Sequence, residues 1–199
     1  MSSLVKLLSL AALTGIGVAG AAPVTYRIDP NHTHPLFEVD HFDGLSTWRG
    51  FFKSTSGTIT LDRERGSGTV DVVIEVSSID FGQDKLTQMV VAEKIGDWNG
   101  LDVGRYPKAE YQGTLGGFVQ GVPTTVNGEL TLHGVTRPVP LRIGAFKCIP
   151  DHPILKREVC GADALGTFNR ADFGVNAGMQ FGFRQEVTLR IQVEAIRQD

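Results

Sequence analysis

The sequence of 199 residues lacks any cluster of basic side chains. Its 19 Lys and Arg residues stand against 22 Asp and Glu residues, which gives a formal net charge of -3 at pH 7. Such a chain has no patch that could neutralise a nucleic-acid backbone or hold an anionic membrane surface. The sequence also contains no Gly-x-Ser-x-Gly motif and no glycine fingerprint for a dinucleotide. We therefore do not expect a nucleic-acid-binding protein or an enzyme that works through a covalent intermediate.

A strand-helix-strand alternation is also missing, and the dominant periodicity is two. From Val187 to Ala195, five apolar residues alternate with four polar ones, as in a strand with one buried face and one wet face. Weaker alternation of the same kind brings the total to about eight predicted strands, and the 24 glycines favour a turn-rich fold. The other predicted strands lie around residues 26–28, 37–40, 58–62, 70–76, 111–115, 126–132 and 139–143.

The segments between these strands carry turn signals and one helical pattern. Hairpin turns are predicted at residues 63–68 and 133–138, whereas the alternation runs straight through Asn127-Gly128. Helical spacing predicts a short helix from Asp84 to Ile95, followed by a loop from Gly96 to Pro107. Because one short helix cannot cover a sheet, we expect residues 22–199 to form one antiparallel domain, either a sandwich or a closed barrel.

The first 21 residues have the pattern of a secretory signal peptide. Lys6 precedes an apolar run, and the small residues Ala19, Gly20 and Ala21 follow it. The run is short, contains Thr14 and has no basic flank, so a membrane anchor is disfavoured. We expect cleavage after Ala21 and export of the mature chain.

Export affects the interpretation of the two cysteines, Cys148 and Cys160. They lie twelve positions apart, and the segment between them opens with loop-forming residues. In an oxidising compartment this arrangement predicts a disulfide that closes the loop. A metal site that uses both cysteines with His152 has the wrong spacing and is disfavoured.

A metal site built from histidines is the alternative that would make the protein an enzyme. His32 and His34 are two residues apart and would share one face of a strand, and His41 follows nearby. This set would suit a small metal-dependent hydrolase. The competing interpretation is that His32 lies in a polar turn and hydrogen-bonds the backbone there.

Several motifs resemble the YceI family in their order and spacing, over nearly all of residues 25–196. They are YRIDPNHT at 26–33, FEVDHF at 37–42, LSTWRGFF at 45–52, SGTI at 56–59, SID at 78–80, RYP at 105–107, GELTLHGVTRPV at 128–139 and FNRADFG at 168–174. The resemblance implies an all-β, extended eight-stranded antiparallel barrel of the lipocalin-like kind, with one or two short helices. It also implies a periplasmic carrier without a cofactor rather than an enzyme.

The resemblance further implies that the barrel encloses a polyisoprenoid, such as the tail of an isoprenoid quinone. The inward faces of the predicted strands are almost wholly apolar, and eight strands either fill their interior or hold one small ligand. The sequence leaves that choice open. Transient membrane contact and a homodimer are further possibilities. The predicted walls are Phe37, Val39, Ile59, Val72, Ile74, Val76, Leu130, Leu132, Leu141, Leu189, Ile191 and Val193, and the predicted rim or plug residues are Trp48, Leu86, Met89, Trp98, Phe168 and Phe173.

One segment departs from the family pattern. Family members often carry Arg or Asp and a His in the helical stretch after the Ser-Ile-Asp motif, whereas residues 85–92 of this chain are mostly apolar. A polar contact with the ligand head group or at the mouth of the barrel therefore cannot be carried over from the family to these positions.

Overall fold

The computed structural model describes residues 22–198. The predicted signal peptide and its cleavage site lie outside the described residues. The strands are β1 Val24–Ile28, β2 Leu36–His41, β3 Ser46–Phe52, β4 Thr55–Asp62, β5 Ser67–Glu75, β6 Ile79–Asp80, β7 Lys94–Ile95, β8 Trp98–Asn99, β9 Lys108–Gly116, β10 Thr125–Leu132, β11 Val135–Pro138, β12 Leu141–Ile149, β13 Val159–Asn169 and β14 Glu186–Arg197. The helical elements are α1 Asp84–Val90 and the 3-10 turns Val76–Ser78, Arg170–Phe173 and Met179–Phe181. No helix of residues 22–198 is long and apolar enough to cross a membrane.

Eight antiparallel strands close into a barrel, which confirms the predicted fold class. The order around the barrel is β1-β4-β5-β9-β10-β12-β13-β14, and β1 pairs with β14 to complete the circle. The clearest alternating segment of the sequence is β14, the last strand in this order. Strand β13 pairs along one edge of β14, and the other edge is shared between β1 and a second strand, β2.

The barrel is extended because β14 is long enough to pair with two strands along one edge. Its end at Ala195 pairs with Ile28 of β1, whereas its start at Val187 pairs with Val39 of β2. Strands β3 and β6 continue the sheet beyond β2. The bend between β1 and β2 is fastened to β14, since Thr33 Oγ1 donates to the carbonyl of Glu194 at 3.2 Å and accepts from its N–H at 3.1 Å.

The predicted helix from Asp84 to Ile95 is too long. Helix α1 ends at Val90, and the following residues form the small β7-β8 hairpin. The carbonyls that would continue the helix have other partners: Leu101 N–H donates to Val90 O at 2.9 Å, and Val103 N–H donates to Val91 O at 3.1 Å. Residues of the predicted loop from Gly96 to Pro107 thus bond the carbonyls at the end of the helix, and the helix stops there.

The predicted turn at residues 133–138 is also too long. Only His133 and Gly134 form the turn, both with positive φ (52° and 74°), and Val135–Pro138 pairs back onto β10 as β11. Two consecutive left-handed residues are what a tight hairpin turn needs, which is why a glycine stands at the second position. The strand predicted to run through Asn127-Gly128 is confirmed as part of β10.

The two ends of the barrel differ in their loops and their packing. We call the end with the connections 63–66, 117–124 and 150–158 the disulfide end, and the end with 42–45, 76–107 and 170–185 the helix end. A small buried cluster of Tyr26, Leu61, Cys160 and Ala195 fills the disulfide end. The larger cluster lies above it and includes the fully buried Phe173, Val76 and Val139.

Candidate functional site

A cavity of about 460 Å³ lies inside the barrel. This volume falls within the range of about 300 to 1,000 Å³ that is typical of small-molecule sites. Aliphatic and aromatic side chains from every barrel strand make up almost the whole lining. Charged groups are few, namely Asp40 and Arg170, with His41 as a further titratable group. The interior is therefore neither completely filled nor polar, and an occupant must be mostly hydrocarbon.

All but three of the predicted wall and rim residues line this cavity. The strand residues do so because the alternation points every second side chain inward, as the sequence predicts. The lining includes Phe37, Val39, Trp48, Ile59, Val72, Ile74, Leu86, Met89, Leu130, Leu132, Leu141, Phe168, Leu189, Ile191 and Val193. Whether each of them contacts a ligand stays a prediction.

The structure places Val76, Trp98 and Phe173 away from the cavity lining. Strand β5 ends at Glu75, so the alternation that includes Val76 breaks where the chain enters a 3-10 turn. Phe173 ends another 3-10 turn and is fully buried, with its ring against Phe168 at a centroid distance of 5.2 Å. Trp98 belongs to the outlying β7-β8 hairpin.

The sequence interpretation missed strand β13 of the barrel, and it also missed the cavity residues that come from irregular segments. Leu101, Val175, Phe181 and Phe183 line the cavity without belonging to any strand, and so does Arg170. Strand periodicity carries no information about such positions. The one available signal was the FNRADFG motif, which contains Arg170.

Aromatic side chains surround the cavity at the helix end. The ring of Phe42 lies 4.8 Å from that of Phe183 and 6.0 Å from that of Phe181, measured between centroids. His41 packs on the same group, 5.0 Å from Phe183, and Trp48 lies 5.5 Å from His41. Phe181 is 58% exposed and lines the cavity as well, so the cavity lining is continuous with the outer surface here.

A hydrogen-bonded carboxylate joins two loops at this end. Asp40 accepts from the backbone N–H of Gly44 at 2.6 Å and from that of Arg184 at 3.0 Å. Desolvation alone would raise the pKa of Asp40, but the two N–H groups and the nearby Arg184 charge together lower it below its usual value. The carboxylate of Asp40 therefore stays ionised and links the loop 42–45 to the loop that contains Arg184.

The predicted disulfide between Cys148 and Cys160 is present at the opposite end. The two residues face each other across β12 and β13, with their Cα atoms 4.0 Å apart. Beside the bond, Glu158 accepts from Arg63 Nη2 at 2.9 Å and from the hydroxyl of Tyr26 at 3.0 Å. Burial, followed by this hydrogen bond, raises the pKa of Tyr26 to about 12.

The three histidines of the proposed metal site are not brought together. His32 lies in the predicted turn, but its ring bonds the carboxylate of Asp29, with Nδ1 and Oδ2 2.7 Å apart, and not the backbone. His34 lies by the ring of Phe51, and His41 belongs to the aromatic group. Within residues 22–198, the only group of three metal-type ligands is Cys148, Glu158 and Cys160. Both sulfurs of that group are consumed by the disulfide. The structure therefore gives the hydrolase alternative no support.

Comparisons with known proteins agree with this geometry. The profile of the YceI-like domain matches residues 26–195. Protein YceI of Salmonella arizonae and that of Salmonella paratyphi B are each 31% identical over 195 residues, which covers 96% of this chain and 95% of each relative.

Two solved structures are similar in fold. BcnA of Burkholderia cenocepacia superposes with a TM-score of 0.63 at 19% identity and covers 84% of this chain and 98% of its own. A polyisoprenoid binding domain from Saccharophagus degradans, implicated in plant cell wall breakdown, gives a TM-score of 0.59 at 14% identity, with coverages of 88% and 99%.

Proposed function

This chain belongs to the family of YceI-like domains, and from that premise we propose that it binds and carries a single-chain apolar lipid inside its barrel. The observation that carries the proposal is the cavity, whose walls are almost wholly aliphatic and aromatic. The similarity to a domain described as polyisoprenoid binding supports a polyisoprenoid as the lipid class. The tail of an isoprenoid quinone is our specific candidate.

The physical basis of such a carrier is an exchange between two apolar environments. Removing hydrocarbon from water is worth about 0.8 kcal/mol per methylene, so a long isoprenoid would stay in a membrane unless the protein offered a comparable environment. An apolar cavity offers that environment with few directional contacts. The transfer can therefore lie near balance, and the same protein can load and unload.

We propose that the helix end contacts the membrane during this exchange. Met89 and Phe181 are both exposed and both line the cavity, and Phe42 and Leu45 add exposed apolar surface next to them. Aromatic side chains are well suited to the interface between water and lipid. A lipid that leaves a membrane at this surface would reach the cavity without crossing water.

Other features of the proposed function follow from the sequence. We propose an exported, periplasmic protein because of the pattern in residues 1–21, and a carrier without enzymatic activity because few polar groups face the cavity. Pairing of two barrels stays a prediction, which sedimentation of the purified protein will check.

A test of the proposal is to fill the cavity without disturbing the outer surface. Ala162 lines the cavity, and its neighbour Asp163 on β13 is exposed on the outside. Ala162→Trp should lower the affinity for farnesol at least about tenfold, because the indole occupies ligand volume, whereas Asp163→Trp should leave it unchanged. Both affinities are measured by titration with farnesol, and thermal unfolding confirms that each variant is folded. Equal affinity in Ala162→Trp and the natural protein would contradict binding inside the barrel.

A further inference from the structure

Among the described residues, Arg170 is the only arginine or lysine that lines the cavity. It begins the 3-10 turn Arg170–Phe173, directly after β13, and so lies at the helix end. All other Lys and Arg residues within 22–198 lie off the cavity lining. A single cation in an apolar cavity requires a physical explanation, because burial disfavours a charge that lacks a partner.

The position of Arg170 is well defined by its backbone. Its N–H donates to the carbonyl of Gln185 at 2.9 Å, and its carbonyl accepts from the N–H of Val175 at 3.1 Å. The side chain folds over the same turn, where Nη1 donates to Val175 O at 3.2 Å. Val175 is itself buried and lines the cavity. The hydrogen bond to Val175 therefore places the guanidinium beside the cavity.

The guanidinium has spare hydrogen-bonding capacity. It carries five N–H donors, and within residues 22–198 its side chain makes one hydrogen bond and no ion pair. The one carboxylate on the cavity lining, Asp40, is already bonded to the N–H groups of Gly44 and Arg184. Desolvation lowers the pKa of Arg170 to about 10, so it is still a cation at neutral pH. The cavity thus contains a charged group that makes only one side-chain hydrogen bond within residues 22–198.

We propose that Arg170 binds an anionic head group, a phosphate or a carboxylate, on the lipid that occupies the barrel. This inference rests on the proposed function, keeps its polyisoprenoid tail and favours an anionic head group over the neutral quinone. A planar guanidinium with free N–H groups suits two oxygens of one anion. The lipid would lie with its head at the helix end and its tail toward the small cluster at the disulfide end.

The test compares probes that share one farnesyl chain and differ only in their head groups. They are farnesyl phosphate, farnesoic acid, farnesol and a quinone that carries the same three isoprene units. Affinities are measured through the fluorescence of Trp48, which lines the cavity. The natural protein should bind the phosphate or the carboxylate about thirtyfold more tightly than farnesol, as expected for charge-assisted hydrogen bonds.

Arg170→Met should remove this preference, so that the variant binds the phosphate and the carboxylate no more tightly than it binds farnesol. Arg137→Met is the matched control, since Arg137 is exposed on β11 at the same end, lies outside the cavity and changes the net charge equally. Arg170→Lys keeps the charge without the planar fork and should retain part of the preference, which also covers the case in which Arg170→Met does not fold.

Each other outcome has a definite meaning. Equal binding of all four probes by the natural protein, tighter binding of the quinone, or an anion preference that survives in Arg170→Met would overturn the head-group site and leave the carrier function standing. Failure of the natural protein to bind any probe would overturn both proposals.

Discussion

Both ends of the barrel expose apolar side chains, but only at the helix end do exposed apolar side chains also line the cavity. Ile154 at the disulfide end is 82% exposed and Leu45 at the helix end is 75% exposed, so exposure alone does not distinguish them. At the disulfide end, no exposed large apolar residue lines the cavity, whereas Met89 and Phe181 at the helix end do both. The cavity lining thus reaches exposed apolar surface at the helix end and, among the described residues, not at the disulfide end. We expect ligand exchange at the helix end and stability to depend on the disulfide end.

The largest expected difference between the two ends is in the free energy of unfolding when a carboxylate replaces leucine. Leu61 is 4% exposed in the small cluster. Leu61→Asp should lower that free energy by about 4 kcal/mol, because an unpaired charge would be buried. Leu45→Asp should change it by less than about 0.5 kcal/mol. Urea unfolding measures both, and similar losses at the two sites would contradict the comparison.

The next largest effect concerns the disulfide. Replacing Cys148 and Cys160 together by Ala should lower the free energy of unfolding by about 3 kcal/mol, the value expected for a loop of this length. The affinity for farnesol should change little in the folded variant, because each replacement removes a single sulfur atom and Cys160 forms only a small part of the cavity lining. Unfolding curves and a farnesol titration test the two statements. A large loss of affinity with little loss of stability would reverse the roles assigned to the ends.

A pH dependence also belongs to the disulfide end. The pKa of Tyr26 is raised to about 12 in the folded state, so its contribution is complete below its unfolded value near 10 and is lost between pH 10 and 12. Tyr26→Phe should remove up to about 2 kcal/mol of the decline in unfolding free energy across that window. Burial raises the pKa of Tyr111 as well, so Tyr111→Phe should also make the decline above pH 10 less steep. A decline from pH 10 to 12 that is the same with and without Tyr26 would refute the assignment.

The smallest effect is on the rate of lipid transfer. Phe181→Ser should slow the transfer of a dansyl-labelled isoprenoid from phosphatidylcholine vesicles about threefold, equivalent to less than about 1 kcal/mol in the barrier. Ile154→Ser removes an even more exposed apolar residue at the other end and should leave the rate unchanged. Fluorescence stopped-flow measures both rates. An equal slowing in the two variants would mean that exposed apolar surface in general, and not the helix end, contacts the membrane.

The parts of the site that were predictable from the sequence are those that belong to strands with a clear alternation of polar and apolar residues. Strand β13 has no such alternation, and the sequence did not predict it. Leu189, Ile191 and Val193 could be assigned to the cavity because a period of two fixes the face on which each side chain lies. Val76 was assigned wrongly because the strand ends one residue before it. The family resemblance supplied the closure into a barrel, which strand periodicity alone left open.

The remainder depends on long-range contacts that no local pattern records. Helix α1 is short because its last carbonyls bond to Leu101 and Val103. Arg170 and Phe181 reach the cavity from 3-10 turns, whose side-chain directions follow from how the segment 170–185 folds back on the barrel. Spacing in the sequence cannot predict such positions.

The central claim is that a hydrocarbon chain occupies the barrel. The most direct measurement is organic extraction of the protein purified from its native host, followed by mass spectrometry, with Ala162→Trp purified in parallel. We predict about one polyisoprenoid lipid for each natural barrel and a strongly reduced amount in Ala162→Trp. A natural protein that contains no lipid, or equal amounts of lipid in both proteins, would contradict the claim.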